Sequence, residues 1–147
     1  MKSSSLVLAL IVSLALVGVA PIWAADTAET KPAAEGTEKT PVIQIQEAVV
    51  CQEVAERKPV KAGDVFAKDC GLLYCYTHVT GAVRDTQITH NWYYQGTLKF
   101  SMQLPVRGAN WRTWSKKNIN PEWTGEWMVE ILSENGVPLQ SVVFQIK

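Results

Sequence analysis

After Pro41 the chain is a succession of short runs rich in Val, Ile, Tyr, Trp and Phe, broken at intervals of about ten residues by Gly, Asn, Asp and Pro. Helical periodicity is nearly absent. That pattern constrains the fold more than any other feature, because it leaves only sheet structure for the core. The runs expected as strands are 42–50, 72–79, 87–94, 98–106, 112–115, 125–132 and 139–146. About seven short strands suit an all-β, immunoglobulin-like antiparallel sandwich. Asn135-Gly136 and Gln95-Gly96 sit between alternating runs and predict hairpins. Alternation puts Trp127, Val129 and Ile131 on one face, and groups Ile88, His90, Trp92 and Tyr94 on another, with Trp92 as a central core residue. Pro121 to Thr124 has room for one helical turn in a connection.

The stretch before this region is of another kind. Lys2 precedes an apolar run from Leu6 to Ala20, followed by Pro21 and the small pair Ala24-Ala25, which is the pattern of a secretory signal peptide. Residues 1–24 are therefore read as a leader cleaved after Ala24, with an uncleaved anchor as the alternative. At about fifteen residues the run is shorter than a bilayer-crossing helix, so no stable membrane span is expected after processing. Residues 25–41, made of Ala, Thr, Glu, Lys, Pro and Gly without aromatic residues, read as a disordered linker, and 42–147 as one domain. The expected location is the periplasm or outside the cell.

Charge is balanced at 14 basic and 14 acidic side chains in 147 residues, and loss of the leader removes one lysine. Without a global field no nucleic-acid partner is expected, and any anion must be recognised by a local cluster. The concentrated one is Trp111-Arg112-Thr113-Trp114-Ser115-Lys116-Lys117. In extended form Arg112, Trp114 and Lys116 share one face, while Trp111, Thr113, Ser115 and Lys117 share the other. Guanidinium and indole together make a platform for sugar rings or planar groups, and Arg and Lys bind carboxylate or phosphate. The alternative is that the tryptophans fill the edge of the core with Arg112 packed over them. His90 has two readings also, a proton shuttle or ligand, or a core-edge residue hydrogen-bonded within the fold.

Cys51, Cys70 and Cys75 allow three pairings in an oxidising compartment, and strand positions favour Cys51 with Cys75. Closely spaced ligand pairs of the kind zinc uses are missing, and so is a Cys-x-x-Cys redox motif, so neither a metal nor a cofactor is expected. There is no Gly-x-Ser-x-Gly elbow and no phosphate loop, and Ser115 and Lys116 point to opposite faces of a strand. A hydrolase is thus the weakest reading.

Three segments carry a further signal: Ile88-Thr89-His90-Asn91-Trp92-Tyr93-Tyr94, then Trp111 to Ile119, then Pro121-Glu122-Trp123-Thr124-Gly125-Glu126-Trp127, before the Gly136 turn and Phe144. In this order and spacing the sequence, from about Ala48 onward, resembles a bacterial family, domain of unknown function 2914. The resemblance implies a C-terminal or stand-alone module of exported or membrane-anchored proteins, with no activity assigned. Lys116 stands where that family often has a second serine. The expected function is non-catalytic: an envelope-associated binding module using the aromatic–basic patch for a protein or glycan partner. The alternatives are a carbohydrate-binding domain for cell-wall glycan or acidic polysaccharide, and a structural spacer.

Overall fold

The computed structural model describes residues 42–147, and the expected leader (1–24) and linker (25–41) lie outside them. Nine strands form: β1 (Gln44–Ala55), β2 (Lys58–Ala62), β3 (Val65–Phe66), β4 (Leu72–Thr80), β5 (Thr86–Tyr94), β6 (Thr97–Val106), β7 (Asn110–Asn118), β8 (Gly125–Ser133) and β9 (Pro138–Ile146). They make two sheets, β2-β1-β4-β7 and β3-β9-β8-β5-β6. The chain crosses between sheets after β2, β3, β4, β6 and β7, which gives the two-sheet β-sandwich expected from the strand pattern. Two strands were not anticipated. β2 turns the end of the first run into a hairpin arm, and β3 is a two-residue strand parallel to the end of β9. Pro121 begins a turn rather than a helical one, closed by the Trp123 N–H donating to Asn120 O at 2.9 Å.

Both expected hairpins form, with different loops. Gln95 and Gly96 both take left-handed φ, 45° and 77°, between the paired Tyr94 and Thr97, as a two-residue turn requires. Asn135-Gly136 lies in a three-residue loop, with Ser133 N donating to Val137 O at 2.8 Å and Gly136 at φ 76°.

The core follows the alternation. Ile88, Trp92, Trp127, Val129 and Ile131 are fully buried. Phe144 of β9 sits among aromatic rings, edge-on to Trp92 at 6.1 Å and to Phe66 at 5.9 Å, and stacked with Trp127 at 6.1 Å. Such pairs add about 0.5–1.5 kcal/mol each beyond burial.

Cys51, Cys70 and Cys75 are free thiols. The Cys51–Cys75 bridge favoured from strand position is not formed, and the register gives the reason. Cys51 stands opposite Tyr74, and Cys75 stands opposite Val50, so the two side chains leave opposite faces of the sheet.

Candidate functional site

The β4–β7 register decides which residues of the aromatic–basic segment meet. His78 pairs with Arg112, Tyr76 with Trp114 and Tyr74 with Lys116. Across β1 the same rows continue to Glu47, Val49 and Cys51. Cross-strand partners share a face, and Val50, Cys75 and Ser115 are in the core. The outer face of the four-stranded sheet therefore carries Arg112, Trp114 and Lys116 beside His78, Tyr76 and Tyr74. Arg112 and Trp114 are partly exposed and Lys116 is exposed.

That face is not bare. Tyr76 is only 2% exposed and Cys51 is fully covered. The cover is the β1–β2 hairpin. Continued straight from the Cys51–Tyr74 pair, β1 would run off the sheet beyond Leu72. Its tip instead meets the start of β7: Glu56, Arg57 and Lys58 line one pocket with Asn110 and Arg112, and the Arg57 guanidinium lies 5.7 Å over the Trp111 ring. From Cys51 to Arg112 is two strand spacings across and four residues along, a diagonal of about 16 Å, and six extended residues span up to about 20 Å. The arm thus lies diagonally over Tyr76 as a partial third layer. It leaves Trp114 and Lys116 along one side and gathers Arg57, Lys58 and Arg112 at its tip.

The other residues of the segment go elsewhere. Trp111 packs against the core cluster of Val79, Ile88 and Leu104 at the edge of the sandwich. Lys117 sits at the far end of β7, 5.8 Å from the Trp123 ring, which Lys99 approaches at 4.8 Å and Tyr94 stacks on at 5.6 Å. Of the six residues expected at the site, the structure brings Arg112, Trp114 and Lys116 onto one face. Trp111 lies at that strand's inner edge, Lys117 belongs to a separate aromatic corner, and His90 is buried.

His90 is wholly buried, with Nδ1 2.8 Å from Ser115 Oγ and Nε2 3.1 Å from Thr77 Oγ1. Ser115 Oγ also accepts a hydrogen bond from Trp92 Nε1 at 2.9 Å. One proton arrangement uses every donor. Trp92 N–H donates to Ser115, Ser115 O–H donates to His90 Nδ1, and Nε2–H donates to Thr77, whose hydroxyl hydrogen-bonds the Cys75 thiol. Burial lowers the His90 pKa from 6.5 to about 4, so the imidazole is neutral. A serine hydroxyl at this distance from an imidazole resembles a nucleophile and its base. Ser115 is only 1% exposed, however, so no substrate can reach the pair, and its role is to join the sheets.

Two other concavities are less suited to recognition. The one lined by Ile43, Ala82, Arg84, Thr86 and Glu134 has its charges joined, with Arg84 and Glu134 3.0 Å apart. Another lies beside Trp123, between Asp69, Lys117 and Asn120. Among the described residues no group of three His, Cys, Asp or Glu is placed to hold a metal ion.

Fold and surface together define an all-β sandwich with an aromatic–basic outer face partly covered by a hairpin arm. Residues 85–146, comprising β5 to β9, match the family described as Protein of unknown function (DUF2914), the one the sequence resembles. The match takes in Arg112, Trp114 and Lys116 and stops short of the hairpin arm. Comparison with curated proteins gives no match. Among solved structures the chain is similar to a beta-glucosidase from Kluyveromyces marxianus in complex with glucose, at 10% identity and a TM-score of 0.42. That similarity covers 72% of this chain and 14% of the other, and carries no argument about function.

Proposed function

We propose that this protein is a non-catalytic binding module of the bacterial cell envelope, and that it holds its partner on the outer face of β7. One observation supports this most: Arg112, Trp114 and Lys116 alternate outward on one edge strand beside Tyr74 and His78, while the inner side of the strand serves the core. An indole between two cations suits a ligand that carries both a ring face and a negative charge. The leader pattern of residues 1–24 supports placement outside the cytoplasm.

The test is retention of the purified protein on isolated envelope glycan, compared with an R112A/W114A double variant whose circular dichroism matches the parent. Retention by the parent and its loss in the variant is the expected result. Equal retention of the two proteins removes β7 from the site.

A further inference from the structure

The hairpin tip is strained, and its strain places cations. Ala55 and Lys58 pair across a two-residue turn in which Glu56 and Arg57 take φ of 50° and 61°. Turns of this geometry favour Asn-Gly, because a side chain at left-handed φ crowds the backbone. Here two long side chains occupy both positions. Strain of this kind persists where the surroundings over-determine it, and it concentrates at functional sites. Its effect is to bring Arg57 over Trp111 and to set Arg57 and Lys58 beside Arg112.

The pocket they form holds three cations and one carboxylate, that of Glu56. Among the described residues the one ion pair is Arg84 with Glu134, so none of these three cations is held in an ion pair within the described fold. Asn110 Oδ1 accepts from His78 Nε2 at 2.7 Å and from Arg112 at 3.3 Å, so the group Asn110 can offer a ligand is its amide NH2. The pocket thus presents donors from two guanidiniums, an ammonium and an amide. Guanidinium groups bind carboxylate, phosphate and sulfate through paired hydrogen bonds.

We propose that this pocket, formed by Arg57, Lys58, Asn110 and Arg112, binds an oxyanion group of an acidic polysaccharide. The proposal rests on the β7 reading above and names its ligand. Arg112 and Trp114 are two residues apart on one face, about 7 Å, so a sugar ring stacked on Trp114 can present its acid group to the pocket. Glu56 opposes the anion and limits its affinity.

Calorimetric titration of the full chain with polygalacturonate, dextran sulfate and neutral dextran tests this, the first two separating carboxylate from sulfate. Binding of at least one acidic polymer is expected, together with no binding of neutral dextran. R57A/K58A, changed only at exposed positions, should lose at least tenfold in affinity, and E56Q should gain about threefold. Undiminished affinity in R57A/K58A overturns the pocket, and so does neutral dextran binding as tightly as the acidic polymers. If W114A weakens binding while R57A/K58A does not, the β7 reading stands and the pocket alone is rejected. Failure of all three polymers to bind rejects the polysaccharide site.

Discussion

His90 Nδ1 and Ser115 Oγ lie 2.8 Å apart in the interior of the sandwich, in a hydrogen bond that joins the two sheets alongside those from Trp92 to Ser115 and from His90 to Thr77. Ser115→Ala would strand both the Trp92 N–H and a His90 nitrogen in the core. Each unsatisfied buried group costs about 1–3 kcal/mol. The variant should therefore lose roughly 2–5 kcal/mol in urea unfolding, well above a typical surface substitution. A loss below about 1 kcal/mol would show that the network is not made.

The same histidine makes stability depend on pH. Its folded pKa of about 4 lies below the unfolded value of 6.5, so the unfolded chain takes up the proton first. The stabilisation is complete above pH 6.5 and is lost as pH falls toward 4, by up to about 1.4 kcal/mol per unit. Unfolding free energies at pH 7, 6, 5 and 4 should show this slope, and H90Q should flatten it whatever its own stability.

Thiol reactivity should follow burial. Burial pushes the Cys75 thiol up to about 12 and raises the pKa of Cys51, which is also wholly covered. Cys70 is raised as well but is partly exposed. Alkylation of the native protein at pH 8, read by peptide mass, should label Cys70 first and Cys75 last. Equal rates would mean that Cys75 is not enclosed.

At the hairpin tip, Glu56→Asn places a residue that tolerates left-handed φ in the first position of the turn. It should raise stability by about 0.5–1 kcal/mol, since the present side chain is strained there. Thermal unfolding of the two proteins measures the difference, and a loss of stability would indicate that Glu56 makes a contact that outweighs the strain.

Much of this architecture follows from alternation alone. The inward set on β8, the grouping of Ile88, His90 and Trp92, and the outward set Arg112, Trp114 and Lys116 each repeat at period two. The hairpin arm does not follow from it. Its return strand is short, its turn is Glu56-Arg57 rather than a Gly pair, and its fold back over Tyr76 depends on the far edge of the sheet. Arg57 and Lys58 were missed for that reason, and the one available signal was the charge run Glu56-Arg57-Lys58 before Pro59. His90 shared a face with Ile88 and Trp92, but its burial required Ser115 and Thr77 on the opposing sheet, which periodicity within one strand does not register.

β7 borders solvent along one side, where nothing in its sheet opposes a sliding of its pairing with β4. A slip by one position would turn Trp114 inward and Ser115 outward. The hydroxyl held by Trp92 and His90 works as a detent against that slip, so the polar group sealed furthest from any ligand decides which side chains a ligand can meet.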